Sequence, residues 1–342
     1  MTSESPEHLR TSLAAAMTMD FKKGRFYRNA ASPCVNVLLT YDDGCAGSCA
    51  YCGLSSRRQG EYGDKSFIRV DWPTYSLDDM IDRMSTSGNR VKRVCISMVT
   101  NGKARPDTSE VILRLKERLD LPVSLLITPT ITTKDDLIKY KADGADMVGV
   151  AIDCATPELF EKYRGSGVGG PHRWERYWQC LEEAIEVFGK DMTGAHLIVG
   201  LGETECQMIE VIQKVRDMGG STHLFSFFPE RDSLLAEHPQ PPIGQYRRIQ
   251  LARFLIDDGI CKADNFKFDI SGKLNGFGLP EEELDNIIRK GSPFTTSGCP
   301  GRDGAVACTR PYANCVPGPE IRNYAFPPED EDIILIKSQL WS

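Results

Sequence analysis

The chain has 342 residues, 41% of them hydrophobic and 26% charged, with a formal net charge of −7. That length suits one large α/β barrel or two domains, and the acidic balance argues against nonspecific nucleic-acid binding. No run of 18 apolar residues occurs, so neither a transmembrane helix nor a membrane partner is expected; twelve cysteines behind a polar N-terminus, which lacks a signal peptide's apolar region, point to a cytoplasmic protein with metal-bound or buried free thiols.

Taken in order, residues 1–30 read as a helical or irregular lead-in, with Leu13-Ala14-Ala15-Ala16-Met17 a good helix former. From residue 35 strands and helices alternate. Strands are predicted at 35–41, 91–98, 122–127, 146–152, 194–200 and 221–228. Helices are predicted at 76–87, 107–119, 133–142, 156–163, 173–188 and 204–218. Ser76 ahead of Asp78 and Asp79, and Thr156 ahead of Pro157 and Glu158, are helix start signals. Gly144, Gly189 and Gly219 stand where helices end. Six βα units in series imply an α/β fold with a parallel sheet and right-handed crossovers. Periodicity alone leaves a partial barrel and a doubly wound sheet both open. The expected division is a lead-in over 1–30, a βα core over 31–240 and a C-terminal extension over 241–342. The extension holds a helix at 244–258 and a strand at 266–270. From 291 onward it is rich in Gly, Pro and Cys, with little regular structure of its own expected.

The first predicted strand runs into Gly44-Cys45-Ala46-Gly47-Ser48-Cys49-Ala50-Tyr51-Cys52-Gly53, three thiols spaced C-x3-C-x2-C. Sites in α/β proteins lie at strands' carboxyl ends, which is where this loop falls. Three thiolates can hold three irons of a [4Fe–4S] cube and leave the fourth open to a ligand. Zinc and disulfides compete with that reading. Zinc sites usually show four ligands in paired knuckles and no His lies nearby; disulfides need an oxidising compartment.

The spacing, with the aromatic Tyr51 just before Cys52, resembles the radical S-adenosylmethionine (SAM) superfamily. The resemblance favours the barrel: a partial (β/α)6 TIM-like fold with an irregular cysteine-rich C-terminal extension. It implies that Cys45, Cys49 and Cys52 hold a [4Fe–4S] cluster whose open iron binds SAM. One electron then cleaves SAM to a 5′-deoxyadenosyl radical that abstracts hydrogen from carbon. Further SAM contacts are expected at the other strand ends. Ser97, Thr100 and Asn101 close the second strand, although the family's usual acidic residue is missing there. Asp153 closes the fourth and can accept from a ribose hydroxyl or charge a helix start. Arg164 follows and can offer a planar fork to SAM's carboxylate or form a surface ion pair. Ile198-Val199-Gly200-Leu201-Gly202-Glu203-Thr204 closely resembles a segment of biotin synthase that orients adenine, which implicates Ile198, Gly200 and Glu203. His196 points inward if its strand alternates. Phe225, Phe227 and Phe228 fall where the family packs adenine and lines the substrate cavity.

Near the end stand Cys299, Cys308 and Cys315, spaced C-x8-C-x6-C among Gly and Pro. So few apolar residues need a staple to stay ordered, and an auxiliary iron–sulfur cluster, taken as [4Fe–4S], is the favoured one over zinc or unligated thiols. Cys34, Cys154, Cys180, Cys206 and Cys261 read as buried hydrophobes.

The chain looks most like the biotin synthase branch over roughly residues 30–320. Biotin synthase itself is disfavoured. Cys95 matches the first ligand position of its second cluster, but Leu125 or Leu126, Gly194 and Phe268 stand at the other three. The segments Gly170-Pro171-His172-Arg173-Trp174, Phe225-Ser226-Phe227-Phe228-Pro229-Glu230 and Thr296-Ser297-Gly298-Cys299-Pro300 resemble the two-protein lipoyl synthases. That resemblance implies sulfur insertion into an octanoyl chain on a lipoyl-carrier protein, with sulfur from the auxiliary cluster. A companion radical SAM protein and a low-potential ferredoxin or flavodoxin type donor are implied partners. The second reading is another enzyme of the branch, a mutase or maturase with a structural or electron-transfer cluster.

Overall fold

The protein, seen here in a computed structural model, is described for residues 3–313 and 320–342, so Cys315 lies outside the described residues. The N-terminal elements are β1 (His8–Thr11), α1 (Leu13–Thr18), β2 (Cys34–Leu39), β3 (Thr74–Ser76) and α2 (Leu77–Thr86). Then come β4 (Arg93–Ser97), α3 (Ala104–Arg118), β5 (Val123–Ile127), α4 (Lys134–Asp143), β6 (Met147–Asp153), α5 (Pro157–Tyr163) and α6 (Trp174–Phe188). The last βα units are β7 (Thr193–Val199), α7 (Glu205–Asp217), β8 (Ser221–Ser226) and α8 (Ile243–Asp257). The remainder carries β9 (Lys267–Phe268), β10 (Leu274–Gly276), α9 (Glu281–Arg289), the short turn α10 (Arg310–Ala313) and α11 (Asp330–Leu340).

All six expected core strands form, each within about three residues of its expected limits, and they lie side by side in sequence order. The sheet runs β3-β1-β2-β4-β5-β6-β7-β8. From β2 to β8 every pairing is parallel. The parallel strands follow chain order without the reversal of a doubly wound sheet, and β3 and β8 remain as edges, so the fold is an open, partial (β/α)6 barrel. The helix start signals act as read: Ser76 and Thr156 accept from the backbone N–H of Asp79 and Leu159.

Alternation along the strands separates two environments. Val35, Val37, Val94, Ile96, Val148 and Val150 are buried and apolar on the side packed against the helices. The opposite face bears Cys34, Asn36, Cys95, Ser97, Ser124, Gly149, His196 and His223. A lumen lined with thiols, imidazoles and hydroxyls is not an ordinary packed core, where such groups carry a desolvation cost unless they have partners. Gly149 and Gly194 leave space for the two rings: a Cβ there would stand 3.1 Å from His196 Nε2 and 2.6 Å from His223 Nε2.

Two stretches differ from expectation. The lead-in contributes β1, antiparallel to both β2 and β3. A four-residue strand holding Arg10 gives no clear alternation. Arg10 is nonetheless buried, and its guanidinium donates to the Trp72 and Tyr62 carbonyls at 2.9 and 3.1 Å. In the tail, α11 is a regular helix. It buries Ile333, Ile336 and Leu340 and starts in a reciprocal cap between Glu329 and Asp332.

Candidate active site

The C-x3-C-x2-C loop leaves β2 and folds over the carboxyl ends of the strands. Backbone bonds set its shape: Ala46 N–H to the Thr100 carbonyl at 2.8 Å, and Ala50 N–H to the Tyr163 carbonyl at 2.8 Å. Cys45, Cys49 and Cys52 all line one cavity of about 220 Å³. Cys45 Sγ accepts from the N–H of Gly47 at 3.3 Å and of Thr100 at 3.4 Å; Cys52 Sγ accepts from Leu54 N–H at 3.4 Å. Burial pushes the Cys52 thiol well up and the Cys49 thiol up, the latter opposed by the Arg164 charge.

Tyr51 is anchored between these thiols. Its hydroxyl donates to Asp153 Oδ2 at 2.6 Å. Asp153 closes β6 at a register irregularity and adopts a left-handed φ of 64°. The same Oδ2 lies 3.1 Å from Arg164 Nη1. Arg164 is buried, and its Nη2 donates to the Tyr177 hydroxyl at 3.1 Å. Its Nη1 is taken up by the Ala151 and Ile152 carbonyls, while Nε is buried without a partner. The planar fork is thus turned mostly onto the protein, with one donor spare.

Of the other residues expected at the site, Ser97, Ile198 and Phe228 line the same cavity, as do Thr100, His196, Phe225 and Phe227. Asn101, Gly200 and Glu203 do not line it. Asn101 donates to Asp43 Oδ1 at 2.8 Å and to the Gly44 carbonyl at 3.0 Å, fixing the entry to the thiol loop. Gly200, at φ 106°, closes on Pro241, where a Cβ would come within 2.6 Å. Glu203 accepts from Gly200 N–H at 2.7 Å and Leu201 N–H at 2.9 Å; burial raises its pKa and these bonds oppose the rise. Arg302, in the cysteine-rich tail, pairs with Asp120 at the surface.

Several lining residues had no role assigned from the sequence. His172 bonds Thr130 Oγ1 at 2.6 Å and the Tyr177 hydroxyl at 3.0 Å through Nδ1, and burial lowers its pKa to about 3. The segment carrying Phe67 and Arg69 is clamped over the cavity by Glu230, which also accepts from Ser66 Oγ at 3.1 Å. Arg69 lies 4.5 Å above the Phe228 ring.

Beneath this cavity, toward the amino ends of the strands, lies a second and smaller one. Cys95, Cys299, Cys308, Asn36, His223 and Arg310 line it, and it shares Leu126, His196, Phe225 and Arg310 with the upper cavity. The tail enters here because it is tied to the strand starts. Arg93 donates to the Pro300 carbonyl, Ser297 Oγ to the Thr222 carbonyl, and Thr309 Oγ1 to the Ala31 carbonyl. A small hairpin pairs the two cysteines: Ala307 and Cys308 N–H both bond the Cys299 carbonyl, at 3.0 and 3.2 Å. Cys34, read from sequence as a buried hydrophobe, faces the same place. The Asn36 amide lies 3.6 Å from Cys34 Sγ and 3.9 Å from Cys308 Sγ. A hydrogen bond from Cys34 pulls the Cys308 thiol down and raises that of Cys34; burial pushes Cys299 to about 12.

Residues 40–215, just over half the chain, match the family model of the radical SAM superfamily. The chain belongs to that superfamily. Among solved structures it is similar in fold to methylornithine synthase (PylB), with a TM-score of 0.51 and 14% identity over 71% of this chain and 66% of that one. A maturase of the [FeFe]-hydrogenase, HydG, gives a TM-score of 0.51 and 15% identity over 71% and 53%. HydG from Carboxydothermus hydrogenoformans gives 0.49 and 17% over 72% and 56%. The chain therefore spans between about half and two thirds of the length of these structures, and the likeness is one of fold.

Membership implies a [4Fe–4S] cluster and SAM in the upper cavity. The donor set fits. Three thiols of one loop open into one cavity, as three ligands of a cube with an open fourth iron require. The spare Arg164 Nε–H and the N–H groups on Cys45 and Cys52 suit an anionic guest.

Proposed function

We propose that this protein is a sulfur-inserting radical SAM enzyme of the lipoyl synthase type, acting on an octanoyl chain carried by a lipoyl-carrier protein. The cluster and SAM, when bound, supply one-electron cleavage of SAM and the hydrogen abstraction that follows. The chain's own residues do the rest. Tyr51, Asp153 and Arg164 hold the thiol loop to the end of β6. Phe225, Phe227, Phe228 and Ile198 provide an apolar wall for an alkyl chain. Burying eight carbons would contribute roughly 6 kcal/mol at the transfer value per methylene.

The observation that carries this reading is the second thiol chamber directly beneath the radical cavity, with shared walls. Sulfur insertion needs a sulfur source within reach of the carbon that has lost hydrogen, and an auxiliary iron–sulfur cluster in that chamber would be one. A cluster serving electron transfer or structure alone has no need to share the substrate's walls. The carrier domain, a companion radical SAM protein and a low-potential ferredoxin or flavodoxin type donor complete the proposal.

The test is mass spectrometry of an octanoyl-lysine peptide incubated with reduced protein, SAM and dithionite, with and without a companion protein. A thiolated peptide is expected, with little from free octanoate, whose bare carboxylate would have to enter an apolar wall. SAM cleavage without sulfur in any product would turn the assignment to a mutase or maturase of the same branch.

A further inference from the structure

The amino-end chamber draws its thiols from two sources that are far apart in the chain. Cys34 opens β2, and alternation puts it on the same face as Asn36. Asn36 stands opposite Cys95 in the β2–β4 register. Cys299 and Cys308 enter from the other side on the tail hairpin. The Asn36 amide touches the sulfurs of both Cys34 and Cys308, so strand and tail thiols meet at one point of the lumen.

A second observation concerns charge. Arg310 is 3% exposed and lines the chamber. Its guanidinium stacks on Phe67 and Trp72 at 5.1 and 5.2 Å. Nη1 reaches the Ser97 hydroxyl at 3.4 Å, and Nε is buried without any partner. A buried cation with an unused donor is costly unless an anion is present to meet it. Four thiolates around an iron–sulfur core carry net negative charge and sulfur acceptors, which would answer that need.

We propose that the chamber is an iron–sulfur site whose ligands are Cys34, Cys95, Cys299 and Cys308, with Arg310 as its buried counter-charge. The set takes two thiols from barrel strands and two from the tail, and it is complete without Cys315. It deepens the auxiliary cluster of the function proposed above, and it does not depend on the octanoyl substrate.

The experiment counts iron and acid-labile sulfide in full-length protein reconstituted without oxygen. In a Cys45→Ala, Cys49→Ala, Cys52→Ala background, all remaining iron belongs to the chamber. About four irons with matching sulfide are expected. Adding Cys34→Ala and Cys95→Ala should remove most of it, whereas adding Cys315→Ala should leave it. No iron above background in the triple variant, zinc in its place, or full iron after Cys34→Ala and Cys95→Ala would each overturn the proposal. The single variant Cys95→Ser keeps the side-chain volume. With an unchanged far-ultraviolet circular dichroism spectrum, it should shift or lose the electron paramagnetic resonance signal of the reduced chamber cluster; an unaltered signal counts against the ligand set. Arg310→Gln should raise that cluster's susceptibility to iron loss, and unchanged retention would remove the counter-charge role. Because none of these readouts uses substrate, a full chamber with no thiolated product would leave the site intact and remove only the sulfur-insertion reading.

Discussion

The two ends of this barrel are built in opposite ways. At the carboxyl end the three thiols come from one loop of eight residues, held by local turns and by bonds to the neighbouring strand ends. At the amino end the thiols come from residues 34, 95, 299 and 308 and meet only because the tail folds back into the lumen. A local site carries its chemistry in its spacing. A site assembled from distant segments depends on the register of strands and on the route of a tail. The upper site also has an orienting shell of charged groups around it, while the lower one has the buried Arg310 in its wall and the buried Arg93 beside Cys299.

The upper thiols should act independently of the lower ones. Cys45→Ala, Cys49→Ala and Cys52→Ala together should abolish SAM cleavage and remove about half the iron of a protein holding two [4Fe–4S] clusters. Iron analysis and chromatography of 5′-deoxyadenosine check this; full iron content would sink the assignment of the upper site. The converse variant, Cys299→Ala with Cys308→Ala, should keep 5′-deoxyadenosine formation within a few-fold and lose thiolated product. Thiolated peptide still formed by it would show that the lower chamber is not the sulfur source.

The same contrast governs what could be read beforehand. The six core strands were legible because each alternates or runs apolar for five to seven residues between helix caps and glycines, and because the lumen-facing positions did not disturb that pattern. The triad at Cys45, Cys49 and Cys52 was legible from spacing alone. Cys34 was not: a lone cysteine beside Val35 and Val37 looks like any buried small hydrophobe. Only the β2–β4 register and the tail hairpin show what faces it. Arg302 and Arg310 illustrate the same limit, since eight residues in a Gly/Pro-rich tail separate a surface ion pair from a buried cation. Glu203 and Gly200 carry a familiar segment, yet they serve to close the loop after β7 rather than to line the cavity.

A third test uses the lumen's imidazoles, which sit at both ends. Burial, then the Arg164 charge, lowers His172 to about 3; burial also lowers His223 to about 4 and pushes His196 well below its ordinary range. In the unfolded chain each would titrate near 6.5. The unfolded state therefore binds more protons as pH falls through 6.5, and stability is lost in that direction. Between pH 7.0 and 5.5 the loss from three such groups should be roughly 3–4 kcal/mol, offset in part by the buried Asp257 carboxyl, which burial raises to about 6 and whose protonation favours the folded state. Urea denaturation at the two pH values, with iron content followed in parallel, measures it. A flat profile would mean that these rings are protonated in the folded protein.

Smaller still is the expected effect of Tyr51→Phe. The hydroxyl donates to a carboxylate oxygen at 2.6 Å that Arg164 also holds. Its removal leaves Asp153 with its charged partner Arg164 but without the phenol donor, so the cost should be about 1–3 kcal/mol of stability. The upper iron should stay bound, because no thiol is touched, while SAM cleavage weakens as the loop loses its tie to β6. Loss of lower-chamber iron in this variant would mean that the two ends are coupled more tightly than their shared walls require.

The smallest effect is expected in the tail itself. Arg302 pairs with Asp120, but the two side chains are 53% and 83% exposed. Ion pairs in water contribute about 0–1 kcal/mol because solvent and salt screen them and two long side chains must be held in place. Arg302→Ala should therefore leave iron content, 5′-deoxyadenosine formation and thiolated product unchanged, and shift the urea midpoint very little, less so at high salt. Arg310, eight positions later, is enclosed by the Phe67 and Trp72 rings and the lower thiols, so the same substitution there removes a buried charge instead of a screened one. If Arg302→Ala costs product or iron as Arg310→Gln is expected to, the tail packs against the barrel differently from the arrangement in which Pro300 is held by Arg93.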